Sequence, residues 1–195
     1  MSTVVVLLVG LALALVAARD EPLELLWYFT VQVDLAYLAA LCFRRDGGLR
    51  TALTVYLVVT GLVFVLVLAN PWSGYSMVAT ADARGTVSDA GNLLLHVVAP
   101  PLAAADWFTN RPRPAPPRGY PVSLLAYPLA WLTAILARGA GSGQAEERYL
   151  YPFLDVPRLG YPTVVVNALT FAALVLLLGL AATRLSRRAP AARLP

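Results

Sequence analysis

The chain has 195 residues, 59% hydrophobic and only 13% charged, with a mean hydropathy of +0.69. Too little polar surface is available to cover such a chain in water, which excludes an ordinary soluble domain and points to the membrane class. All fifteen cationic side chains are Arg, and one His and one Cys exclude an intramolecular disulfide, a zinc cluster and bis-histidine haem ligation within one chain.

Six apolar stretches approach bilayer length, near Thr3–Ala18, Leu23–Phe43, Thr51–Ala69, Ala90–Trp107, Val122–Ala137 and Tyr161–Ala182. The first ends in ALVAARD, which resembles a small-residue cleavage site, but the Met-Ser-Thr start gives no positive n-region, so we read it as an uncleaved helix. The connectors RRDGGLR, NPWSG, NRPRPAPPRGYP and RGAGSGQAEE are rich in helix-ending Pro and Gly, and 111–121 reads as an extended, polyproline-like linker. No internal repeat or second domain is visible. The expected fold is therefore all-α: one polytopic bundle of six transmembrane helices over residues 1–195.

Six spans place ten Arg on the side of the two termini and five on the other, beside eight acidic residues. By the positive-inside rule both termini are expected in the cytoplasm of a multi-pass cell-membrane protein. The pI near 9.5 then reflects topology and anionic lipid, and no nucleic-acid-binding signature accompanies the arginines.

Polar residues inside the spans carry the functional reading. His96, the only histidine, lies within LLLHVVAPPLAAADWF, and an ionisable group at bilayer depth usually faces a protein-lined or wet cavity. Thr30 lies about seven residues, or roughly 10 Å, below the outer end of the second span, and His96 and Asn167 about six residues below the outer ends of theirs. Three polar groups thus share one level in the outer, extracytoplasmic leaflet. Helical spacing gives stripes of Trp27, Thr30, Asp34 and Tyr37 on the second span, Asn92, His96, Ala103 and Asp106 on the fourth, and Thr163, Asn167 and Thr170 on the sixth. Tyr56 and Thr60 form a weaker pair on the third. Lipid satisfies none of these groups, so the stripes are expected to face one another.

Each polar residue also has a plainer role. The plainer role of His96 is interhelical hydrogen-bond glue, although its depth favours a functional one, while for Thr30 the plainer role of a back-bonding helix threonine is the stronger. Asp34 is either a protonated buried acid or a partner of His96. Asp106, followed by Trp107, is expected to anchor at the interface. Pro100 and Pro101 deprive the carbonyls of His96 and Val97 of their helical donors, which either opens a cavity wall or only shapes packing. Ser73, Ser76 and Ser142 lack a nucleophile elbow.

WYFTVQ, TGLVF, LLLHVVAPPLAAADW, YPLAWLTAILARGA, RYLYPFLD and GYPTVVVN occur in this order from Trp27 to the sixth span. Together they resemble the bacterial Pro-rich six-helix membrane proteins. That family is similar to the eukaryotic androgen-induced and androgen-dependent proteins that hydrolyse fatty acid esters of hydroxy fatty acids. The resemblance implies a reactive Thr at Thr30 and a reactive His at His96. The bacterial relatives commonly carry Ser-Asn where this chain has Val33–Asp34, which puts an acid one turn from Thr30.

A neutral imidazole can take the proton of a weakly nucleophilic Thr hydroxyl, and acyl transfer to Thr30 followed by hydrolysis would cleave a lipid ester. Asn92 and Asn167 are the expected oxyanion donors and Asp34 a further polar neighbour. No cofactor or metal is implied, and the expected partner is a membrane lipid or fatty-acid ester. The alternative is a non-enzymatic small transporter or assembly partner whose polar centre is a path or glue. The outer loops Asn70–Asp89 and Gly139–Gly160, rich in Trp and Tyr, are expected to cover the polar centre or to form an aromatic belt.

Overall fold

The computed structural model describes residues 2–43, 47–77, 83–110, 116–141 and 149–188, with 83–87 as backbone only. Every regular element among them is helical. Helix α1 (Thr3–Ala17) starts at Ser2, whose hydroxyl accepts from the Val5 amide at 3.4 Å. The second apolar stretch is not one helix, in contrast to the expectation of a span from Leu23. Pro22 opens a 3-10 segment, Pro22–Trp27, Tyr28 is extended (φ −74°, ψ 126°), and α2 runs only from Phe29 to Cys42. Trp27 therefore lies outside the helix that carries Thr30, Asp34 and Tyr37.

Helix α3 (Gly48–Val63) continues as a π-helical turn, Phe64–Leu68. The fourth rod begins upstream of its predicted start, as α4 (Ala83–Asn92), passes through a π-helical segment, Leu93–Val98, and ends as α5 (Ala99–Thr109). The π segment absorbs the missing proline amides: Ala99 N–H bonds Leu94 O, five residues back. Helices α6 (Tyr120–Ser123) and α7 (Ala126–Gly141) form the fifth rod. Helix α8 (Val156–Arg188) bends at Gly160 (φ 74°), a conformation that favours glycine, just before Pro162.

Three of these rods, Gly48–Leu68, Tyr120–Gly141 and Val156–Arg188, are long and apolar enough to cross a membrane, while α1 and α2 are shorter apolar helices. Leu169 and Leu177 of α8 are each 64% exposed. An apolar outer face of this kind suits contact with lipid.

α3 occupies the centre, with Leu57 and Thr51 fully buried, and packs on α2, α5 and α8. Backbones approach where side chains are smallest. A Cβ on Gly61 would lie 2.7 Å from the carbonyl oxygen of His96 and 2.8 Å from Pro100 Cγ. The His96 carbonyl released by Pro100 is thus packed against α3 and is not an open cavity wall. α7 stands off from the centre through aromatic rings: Phe29 meets Tyr56, Tyr127 and Trp131 at 5.2–5.8 Å between centroids. Trp131 Nε1 donates to Trp27 O at 2.9 Å, and Arg138 bonds Glu24 at 2.5 Å, fixing α7 to the 3-10 segment.

Asp106 is no simple interfacial anchor. It pairs with Arg50, accepts from Tyr37 at 3.3 Å, and its other oxygen accepts from Asn110 Nδ2 at 3.0 Å, tying α2, α3 and α5 together. Beside it, Trp107 Nε1 donates to Thr51 at 3.0 Å.

Candidate functional site

Thr30 stands in the first turn of α2 and His96 in the middle of the π segment. Their side chains meet, with Thr30 Oγ1 3.1 Å from His96 Nε2. The other imidazole nitrogen, Nδ1, lies 3.1 Å from the carbonyl oxygen of Asn92. A carbonyl only accepts, so in the neutral ring Nδ1 carries the hydrogen and Nε2 presents its lone pair. The remaining bond is then Thr30 O–H to Nε2, the direction a general base requires. Phe64, in the π turn that ends the third rod, stacks on the imidazole at 4.5 Å and 26°, which fixes the ring plane.

Two cavities meet at this pair. One, of about 110 Å³, is lined almost entirely by apolar side chains, among them Val63, Leu129, Leu132, Phe171 and Val175. The other, of about 750 Å³, carries Asp20, Glu21, Glu24, Ser88 and Asp89. Thr30, His96, Leu68 and Tyr151 line both. A hydroxyl–imidazole pair thus lies between an apolar chamber and a polar vestibule. That arrangement suits a molecule with a hydrocarbon part, a reacting group, and water or a polar part arriving from opposite sides.

Tyr151 reaches this junction from the segment between α7 and α8. It is buried, stacked on Phe153 at 5.1 Å and edge-on to Tyr28 and Trp131 at 5.7 Å each. Burial pushes its phenol up, and the neighbouring Tyr28 adds to that. Of the two loops expected to cover the polar centre, 149–155 brings Tyr151, Phe153 and Leu154 to the apolar cavity and 70–89 brings Met77, Ser88 and Asp89 to the other, whereas Trp72 is 92% exposed.

The remaining sequence candidates separate. Asn92 reaches His96 through its backbone carbonyl, while its side chain lines the polar vestibule. Asn167 is not at the pair: its Nδ2 donates to Phe153 O at 2.9 Å and to the Tyr75 hydroxyl at 3.4 Å. It anchors the turn that carries Tyr151. Thr163 and Thr170 are exposed, so that stripe does not face inward, and Thr170 bonds Val166 O at 2.9 Å. Asp34 is fully buried, one turn from Thr30, and neither carboxyl oxygen has a hydrogen-bond partner. It makes no pair with His96. Thr60 lines the apolar cavity but donates to Leu57 O at 2.8 Å, and Tyr56 donates to Leu124 O at 2.6 Å.

Tyr151 and Phe64 escape a periodicity argument, since one lies in a loop and the other beyond the last polar residue of its span. The sequence marks Tyr151 only as one of the aromatic residues, with Trp72, Tyr75, Tyr149 and Phe153, of the loops expected to cover the polar centre or form a belt. Among the described residues no group of three or more His, Cys, Asp or Glu could hold a metal ion. Compared with family models, curated proteins and solved structures, the chain matches none.

Proposed function

We propose that this chain is a six-span cell-membrane protein, with both termini cytoplasmic, that hydrolyses lipid esters with Thr30 as nucleophile and His96 as general base. The observation that carries the reading is the 3.1 Å contact from Thr30 Oγ1 to a ring nitrogen whose partner nitrogen is held by a carbonyl. A path or glue role needs no such pre-set direction of proton transfer. Arginine bias supports the orientation, which puts the pair in the extracytoplasmic leaflet.

The chemistry runs in two halves. Nε2 takes the Thr30 proton as Oγ1 adds to the ester carbonyl, giving a tetrahedral intermediate with an oxyanion. Collapse breaks the bond to the alcohol oxygen, which leaves with the proton from Nε2. An acyl-threonine remains. Water from the vestibule then gives a proton to Nε2 and its oxygen to the acyl carbon, and the proton returns to Oγ1 as the acid departs. The apolar cavity suits the first carbons of a hydrocarbon beside the carbonyl, and the proposed substrates are fatty acid esters of hydroxy fatty acids or similar lipid esters.

The test is hydrolysis of such esters by purified protein in detergent, comparing wild type with Thr30→Ala and His96→Ala. Each variant is expected to lose at least about a hundredfold in rate, the contribution of a positioned base or activated nucleophile. Near-wild-type hydrolysis by either folded variant would sink the Thr-His mechanism.

A further inference from the structure

An oxyanion forming on the carbon attacked by Thr30 needs a donor, and the amide side chain expected from the sixth rod is spent. Asn167 donates to Phe153 O and Tyr75. The polar group that shares both cavities with Thr30 and His96 is instead the phenol of Tyr151, buried against Tyr28, Trp131 and Phe153. Asn167 holds that phenol in place indirectly, by fixing the carbonyl two residues along the same turn.

We propose that Tyr151 is a catalytic residue, the hydrogen-bond donor that stabilises the tetrahedral oxyanion formed on Thr30. The inference rests on the hydrolase reading above. The proton inventory supports it. His96 Nδ1–H is committed to Asn92 O, and the Thr30 hydroxyl hydrogen to His96 Nε2. Of the residues that line both cavities with Thr30 and His96, Tyr151 is the one that brings a further O–H. The oxyanion and Oγ1 sit on one carbon, so an O–H donor that lines the same junction as Thr30 and His96 is placed beside the developing charge. Its surroundings agree: a phenol kept protonated by burial is a donor through the neutral range. No proton leaves Tyr151 at any step; it strengthens a bond as charge develops and relaxes as the alcohol or acid departs.

The test is the second-order rate of phosphonylation of Thr30 by an alkyl fluorophosphonate in dodecyl maltoside, resolved into a maximal rate and a half-saturating concentration. Tyr151→Phe keeps the ring that packs on Phe153, Tyr28 and Trp131. It is expected to keep the thermal midpoint and half-saturation of wild type and to lower the maximal rate by about a hundredfold, the loss of one oxyanion donor. A folded Tyr151→Phe that reacts at the wild-type maximal rate overturns the proposal and leaves the hydrolase reading standing. Wild type that is not phosphonylated on Thr30 overturns both. Should Tyr151→Phe fail to fold, replacement of Tyr151 by 3,5-difluorotyrosine serves instead. Its more acidic phenol moves the alkaline fall of the rate to lower pH if Tyr151 donates, and an unmoved profile overturns the proposal.

Discussion

His96 Nδ1 sits 3.1 Å from the carbonyl oxygen of its own helical neighbour Asn92, and that contact orients the whole reactive pair. In an α-helix the Asn92 carbonyl would accept from the backbone amide of His96. The π segment Leu93–Val98 shifts backbone pairing one residue onward, and the imidazole folds back onto the same carbonyl. A wider turn, forced where Pro100 and Pro101 remove two donors, thus fixes a tautomer.

Asn92 touches His96 through its backbone carbonyl alone. Asn92→Ala is therefore expected to fold and to react with fluorophosphonate within about threefold of wild type, since helix propensity favours Ala and no bond to His96 is lost. A fall of about a hundredfold in folded Asn92→Ala would place its amide side chain in the oxyanion site.

Asp34 is the polar residue that the pair does not use. Its carboxyl is fully buried without a partner, an arrangement that disfavours a charged side chain. Asp34→Asn keeps the shape and removes the ionisable group. Its thermal midpoint is expected to equal or exceed that of wild type, with Thr30 reactivity unchanged. Reactivity lower by more than about tenfold would instead make Asp34 part of the proton path.

Gly61 tests the contact between α3 and the π segment. An added methyl would sit 2.7 Å from a backbone oxygen that has little room to move. Gly61→Ala is expected to lower stability by about 1–3 kcal/mol, the usual effect of overpacking, and to slow Thr30 reaction by displacing His96. A Gly61→Ala protein with wild-type midpoint and wild-type reactivity would show that the two backbones are not so closely apposed.

Cys42, the lone cysteine, is exposed at the C-terminal end of α2 and reports orientation directly. With cytoplasmic termini it faces the cytoplasm, so a membrane-impermeant maleimide should leave it unmodified in intact cells and modify it in inverted vesicles. Trp72→Cys in a Cys42→Ser background should behave oppositely. Modification of Cys42 in intact cells reverses the topology.

Much of this was readable from the residues, for identifiable reasons. His96 stands out as the one histidine, set in an apolar run, whereas Thr30 is marked as reactive by the resemblance, since its place on a polar stripe alone favours a back-bonding threonine. Trp27 was misplaced because periodicity cannot distinguish a 3-10 lead-in from the first turn of a helix, and only the extended Tyr28 separates them. The π turns were invisible for a related reason, as a one-residue shift in hydrogen bonding leaves hydropathy unchanged. Asn167 lay at the expected depth, but depth does not say which way a side chain turns, and its partner is 14 residues away in a loop. Tyr151 returns through that same loop, whose aromatic content points to the polar centre without telling which ring lines both cavities.

The most direct test of the Thr-His pair is to locate the covalent adduct by mass spectrometry after reaction with fluorophosphonate. The account predicts modification on Thr30 in wild type, none at that residue in Thr30→Ala, and at least about a hundredfold less in His96→Ala at matched fold and concentration. An adduct on another residue, or undiminished modification of Thr30 without His96, would contradict it.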